Sequence, residues 1–120
     1  MAADLRDLTE FADRLAPLGP IRWKRMFGGA GFWLGDEMFA CWVKGSFMFR
    51  ADADNAPAYE SRGIGPWTEA MGPSQKIMTM PYYAIPDEVM ADDSLLLQWA
   101  TDAVEAAQRA AALKASKKKK

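Results

Sequence analysis

The sequence predicts a two-layer α+β fold, with an antiparallel sheet of five to six strands and helices on one face. Three observations predict it. Apolar residues recur at helical spacing near both ends, short aromatic runs broken by turn residues fill the middle, and the links between those runs are too short for parallel pairing. Helices gathered on one face of such a sheet would bury their apolar stripes in one core. The predicted order of elements is α-β-β-β-β-α-β-β-α.

The first half of the chain is predicted to contain one helix and four strands. Leucine and phenylalanine recur with helical periodicity between Asp4 and Ala16, which is typical of an amphipathic helix that Pro17 ends. Beyond it, short apolar runs are separated by glycine, Gly-Asp-Glu and Lys44-Gly45 turns. These runs are predicted as strands over 21–27, 30–34, 38–43 and 46–51.

The second half is predicted to contain two helices and two or three strands. Capping and stop residues place a short helix over 56–62, and a Gly72-Pro73 turn joins strands over 67–71 and 76–80. Because prolines bound it, the segment 81–86 is predicted as an edge strand or an ordered loop. The last helix is expected over 94–113, capped by Asp92, Asp93 or Ser94. Its alanine-rich second half has high helix propensity but offers little apolar bulk, so we expect that half to project or fray.

Length and charge restrict the organisation and the partners. We expect one domain over residues 1–113 and a disordered Lys-rich tail over 114–120 in this chain of 120 residues. Lys117–Lys120 are four of the fifteen basic residues, so the rest of the chain is clearly acidic. We therefore do not expect direct nucleic-acid binding, which needs clustered cations. A non-specific anchor in the lysine tail is the lesser alternative.

Few residues are suited to catalysis or metal binding. The sequence has no histidine and a single cysteine, Cys41, which lies in an apolar run where burial would make it inert. The glycines of residues 25–31 lie between predicted strands and match neither nucleotide-binding pattern, which indicates a bulge or a close backbone approach. Carboxylates fall at turns and helix starts, as capping favours. We expect no cofactor and no metal, although an enzyme that uses carboxylate or tyrosine side chains remains an alternative.

The apolar residues are too scattered for a membrane span and no signal-peptide pattern opens the sequence, so we expect a cytoplasmic protein. Aromatic residues are abundant, with five Trp, six Phe and three Tyr. They are expected to fill the core, and any exposed ones would form a protein contact surface, with the sheet face of Met48 or an edge near Tyr82 as candidates.

Two stretches resemble the TfoX/Sxy N-terminal domain family. Residues 24–40 begin with the basic-Met-Phe-Gly-Gly run Arg25-Met26-Phe27-Gly28-Gly29 and continue into a short hairpin. Residues 80–86 read Met-Pro-Tyr-Tyr-Ala-Ile-Pro, including Tyr82 and Tyr83, and precede a Leu-Leu-Gln-Trp-Ala helix that contains Trp99. The similarity extends over roughly 5–107, and we expect the chain to be a stand-alone N-terminal domain of this family.

The resemblance implies a function and a fold. The family is named for bacterial regulators of natural competence, which assist a cyclic-AMP-responsive activator, and its N-terminal domain resembles secretion chaperones and often forms dimers. The chain is therefore expected to be a non-enzymatic, regulatory protein-interaction module, a homodimer with a transcription activator as partner. A small-molecule-binding domain is the alternative. The family offers no catalytic residues, so the residues that carry over are signature positions and candidate interaction sites: Arg25, Met26, Phe27, Gly28, Gly29, Tyr82, Tyr83 and Trp99.

Overall fold

Four helices and six strands alternate along the residues that the computed structural model describes, which are 5–26 and 28–118. The predicted α+β class and order of elements are confirmed, with a short helix added after the last strand. In chain order the elements are α1 (Leu5–Arg14), β1 (Ile21–Met26), β2 (Gly29–Leu34), β3 (Glu37–Val43), β4 (Ser46–Arg50), α2 (Ala56–Glu60), β5 (Pro66–Met71), β6 (Lys76–Ala84), α3 (Asp87–Met90) and α4 (Asp93–Lys118). A 3-10 turn at Ala16–Leu18 follows α1.

The strands form one sheet in the order β1-β2-β3-β4-β6-β5, and all neighbours are antiparallel. The first four strands form the predicted meander. The prediction that 81–86 is an edge strand or a loop is wrong, because Tyr82, Tyr83 and Ala84 belong to β6 and pair with β4. Strand β6 is therefore internal to the sheet, and β5 forms the edge. The predicted exposed edge near Tyr82 is likewise wrong, since that residue is buried.

Pro81 is tolerated inside this internal strand because the pairing is interrupted around it. Along β6, residues 76–79 pair with β5, and the next β5 partner is Tyr83, opposite Pro66. The missing amide hydrogen of Pro81 falls within this register shift, where no ladder bond requires it. The Pro81 carbonyl accepts a hydrogen bond from the Ala51 amide at 2.9 Å. The proline thus occupies the one stretch of β6 where a donor is dispensable.

The core lies between the helices and one face of the sheet. Phe11 of α1 stacks on Phe47 with a centroid separation of 4.2 Å and meets Phe32 edge-on at 4.9 Å. Helix α4 packs against β3 and β4. The expectation that its alanine-rich second half would project or fray is wrong for Ala106 and Ala107, which are buried, whereas Ala112 and Leu113 are exposed. Small side chains allow the helix axis to approach the sheet closely. The large side chains that fill the core come from the strands.

The helices differ from the prediction in their number and in their boundaries. Helix α3 was not recognised, since its four residues are too few to show a helical period. Helix α4 continues to Lys118, beyond the predicted end at Leu113, as its alanine-rich composition favours. Lys119 and Lys120, the end of the predicted tail, lie outside the described residues.

The glycine run has the structural role that the sequence indicated. A methyl group at Gly29 would overlap the backbone carbonyl oxygen of Trp42 on the neighbouring β3 strand. A backbone atom cannot move aside as a flexible side chain can, so this position requires glycine.

We expect Gly29→Ala to lower the free energy of unfolding by about 1–3 kcal/mol, the usual cost of inserting a methyl group into a packed site. Urea denaturation of the purified chain measures this. Gly65→Ala is the matched control, because no atom lies within 4 Å of the added methyl group and Gly65 is not among the positive-φ glycines. Equal unfolding midpoints for the two variants would contradict the close approach at Gly29.

Candidate functional site: a methionine-lined groove

The sheet face opposite the helices carries a different set of side chains. Cross-strand partners point to the same side, so Gly31, Cys41 and Met48, which are paired across β2, β3 and β4, share this face. A register shift between β2 and β3 then places Met38, the partner of Trp33, on the same side. The aromatic core therefore lies on one side of the sheet, and a layer rich in sulfur lies on the other.

This face forms one wall of a groove whose opposite wall is the β5–β6 hairpin. The groove has a volume of about 610 Å³. The two walls come from strands at opposite ends of the sheet order. The sheet is therefore strongly curved, and the hairpin lies over the meander. We call this the methionine groove, and the side chains that define it are Met26, Met38, Cys41, Val43, Lys44, Trp67, Glu69 and Met80.

An ion pair fastens the hairpin wall to the meander. The Lys44 ammonium donates a hydrogen bond to one Glu69 carboxylate oxygen at 3.2 Å, and the Trp67 indole N–H donates to the other at 2.9 Å. These two interactions, the indole bond first, hold the pKa of Glu69 below its ordinary value. Lys44 lies in the β3–β4 turn, where its φ of 50° belongs to the left-handed region found in tight hairpins. The groove thus has one neutralised pair of charges and is otherwise apolar.

The floor of the groove is closely packed. Cys41 is buried, and desolvation raises the pKa of its thiol to about 12, so it is protonated at neutral pH. The predicted burial of the cysteine is confirmed. The Met38 sulfur lies only 2.6 Å from where a Cβ on Gly31 would be, so the absent side chain of Gly31 provides its space. The Tyr82 hydroxyl donates to the Met38 carbonyl at 3.2 Å and supports this floor from β6.

The signature positions are divided between the two sides of the sheet. Met26 and Gly28 line the methionine groove, and Tyr82 supports its floor. Arg25 is exposed on the edge strand β1, whereas Gly29 is buried. Phe27 lies outside the described residues.

Tyr83 and Trp99 lie on the helix side, around Tyr59 of α2. The Tyr59 ring stacks on Tyr83 with a centroid separation of 5.1 Å and meets Trp99 edge-on at 4.9 Å. The Tyr83 hydroxyl donates to Glu60, while the buried Tyr59 hydroxyl has no hydrogen-bond partner among the described residues. Burial raises the pKa of Tyr59, so this ring remains neutral. These signature aromatics join helices to sheet.

Sequence reasoning missed most of the groove. Met38, Met80, Trp67, Glu69 and Lys44 are scattered along the chain without a motif spacing, and only the high methionine content of eight residues could have drawn attention to them. Within residues 5–26 and 28–118, no group of three or more His, Cys, Asp or Glu residues is placed to hold a metal ion. In the same ranges no helix has the length and apolarity to cross a membrane.

These features define an α+β domain whose helices cover one sheet face and whose main apolar concavity occupies the other. The model of the TfoX N-terminal domain family matches residues 13–107, which is most of the chain, and the chain belongs to this family. The resemblance seen in the sequence is thereby confirmed. A comparison with curated proteins gives no match.

We expect Trp67→Phe to raise the pKa of Glu69 towards its ordinary value, because the largest contribution to its lowering is lost. The folded-state pKa is depressed, so the anchoring of the hairpin is complete above the unfolded-state pKa and is lost as the pH falls through the folded-state value. Carboxyl titration by NMR measures the shift. Lys76→Met, which removes a charge from the same hairpin but not from the ion pair, should leave the Glu69 titration in place; an equal shift in both variants would contradict the anchor.

Proposed function

We propose that this chain is a regulatory protein-interaction module that works by contact with a transcription activator. Membership of the TfoX N-terminal domain family supports a regulatory, competence-related role. The observation that carries the proposal is the projecting end of the β5–β6 hairpin, where Ile77 is 63 % exposed and Met78 is 40 % exposed. As consecutive residues of a strand they point to opposite faces, so each face of the hairpin end offers one exposed apolar side chain to a protein partner.

The hairpin end can expose these side chains because its backbone hydrogen bonds are made within the hairpin. Residues 76–79 of β6 pair with β5 alone, and β4 pairs only with the later residues 82–84. The distal hairpin therefore extends from the sheet with its ladder bonds made internally. Ile77 lies opposite Ala70, so a small residue flanks it and leaves its side chain open to a partner. Leu113, at 63 % exposed, is the other large exposed hydrophobic in the described part of the chain, and it lies apart on α4.

We expect Ile77→Asp to weaken binding to the cyclic-AMP-responsive activator of the same cell by about tenfold or more, as loss of a central apolar contact does. The carboxylate would have to be desolvated at the interface, while in the free chain it remains in water. Co-purification with the tagged, full chain followed by titration of the recovered activator measures this.

Leu113→Asp is the matched control, since it makes the same change on an equally exposed residue outside the hairpin. Equal binding by the two variants would contradict the hairpin as the contact site. We also propose that the chain forms a homodimer, as the family resemblance implies. Light scattering that records a monomer at high concentration would contradict that part of the proposal alone.

A second candidate function is the binding of a small, largely apolar ligand in the methionine groove. A volume of about 610 Å³ falls in the range of ordinary ligand sites, and apolar walls with a few polar groups are typical of them. The Lys44–Glu69 pair supplies those polar groups at the solvent edge, where the Lys44 side chain is 74 % exposed.

We expect the wild-type chain to bind the fluorescent apolar probe anilinonaphthalene sulfonate in this groove and Met80→Glu to bind it at least several-fold more weakly. Glutamate would place a charge on the apolar wall. Ile77→Glu is the control, because Ile77 lies on the same strand but points to the face away from Glu69 and does not line the groove. Fluorescence titration measures the difference, and equal probe binding by both variants would argue against a ligand site here.

A further inference from the structure

The sulfur atoms of this chain are gathered on one side of the sheet. Met26, Met38, Met80 and Cys41 come from β1, β3 and β6 and line the methionine groove together. Met48 is the cross-strand partner of Cys41 and belongs to the same face. The sole cysteine and half of the eight methionines of the sequence therefore share the face that the helices leave uncovered.

The donor atoms of the groove are almost all soft. Thioethers, a thiol and the indole ring of Trp67 form its apolar walls, and the one carboxylate, Glu69, is occupied by Lys44 and Trp67. Hard cations such as Mg²⁺ and Ca²⁺ require oxygen ligands and would lose their hydration here without compensation. Soft thioether ligands instead favour copper(I). The lining thus selects the class of ion.

We propose that the methionine groove binds a soft monovalent cation of the copper(I) type through the thioethers of Met26, Met38 and Met80. The proposal deepens the second candidate function by naming its ligand, and it rests on the groove being a binding site. Cys41 lies buried at the floor beneath them and is not one of the proposed ligands.

The structure indicates how a groove wider than an ion can hold one. Methionine has three rotatable bonds and a polarizable sulfur, so side chains from facing walls can converge on one point. Met38 is fixed on the floor above Gly31 and by the Tyr82 hydroxyl at its carbonyl. Met80 belongs to the hairpin wall, which the Lys44–Glu69 pair ties to the meander. The two walls therefore stand opposite each other with sulfur on both.

Silver(I) is the probe, because it shares the charge and ligand preference of copper(I) and is stable in air. We expect the full chain to bind one silver ion, and calorimetry in chloride-free buffer measures this binding. Binding should also quench tryptophan fluorescence, because Trp67 flanks the groove. The triple variant Met26→Leu, Met38→Leu, Met80→Leu conserves volume and removes the thioethers. This variant should bind silver about tenfold or more weakly. Substitution of residues that only hydrogen-bond to the metal ligands already has an effect of that size.

Two controls separate a methionine site from ordinary thiol chemistry. Met78→Leu and Met90→Leu remove methionines that do not line the groove and should bind silver as the wild type does. Cys41→Ala should still bind one silver ion, as the wild type does. Silver binding that disappears with Cys41→Ala but survives the triple change would overturn the proposal, as would the absence of binding. Circular dichroism and urea midpoints verify that each variant is folded.

The apolar probe distinguishes failure of the metal proposal from failure of the site itself. Probe binding that is sensitive to Met80→Glu, in a chain that does not bind silver, would overturn the metal ligand and leave an organic-ligand groove. Loss of both would overturn the metal proposal and the second candidate function together. Displacement of the probe by silver in the wild type, and not in the triple variant, would support both.

Discussion

The interruption of pairing along β6 determines the shape of the uncovered face. The strand joins β4 through 82–84 and β5 through 76–79, and Pro81 lies between the two ladders. A strand paired on both sides along its whole length would keep β5 in the plane of the sheet. Because the two ladders barely overlap, the hairpin is free to turn over the meander, where Glu69 reaches Lys44. The groove and the projecting Ile77 both follow from this single change of partner.

The division of side chains between the two faces then assigns them different tasks. Phenylalanine rings and the alanines of α4 interlock on the helix side, where a rigid core needs defined rotamers and close approach. Methionines and glycines occupy the other side, where the Met38 sulfur fills the space left at Gly31 and Met26 and Met80 line the groove. The aromatic core and the groove therefore use different side chains.

Periodicity predicted the elements well because most of them obey it. The stripe of α1 and the alternation of Phe47 and Phe49 in β4 both reflect burial on one side only. The errors occurred where tertiary context outweighs a local rule. Proline indicates an edge strand only when the ladder is continuous, so the segment from Pro81 was misplaced. Alanine was expected to pack poorly against the sheet. The large aromatic rings on that sheet face are nevertheless well matched by a small side chain such as that of Ala103, which is buried.

The groove could not be predicted, because its residues meet through irregularities that leave no periodic trace. Met38 and Cys41 are separated by an odd number of positions, so strict alternation would place them on opposite faces of β3. The register shift opposite Phe32 and Trp33 adds a residue and returns both to one face. Met80 joins them only because β6 changes partner. Residue spacing reveals histidine or cysteine motifs. It does not reveal these thioethers, because a bulge and a curved hairpin bring them together only in the folded structure.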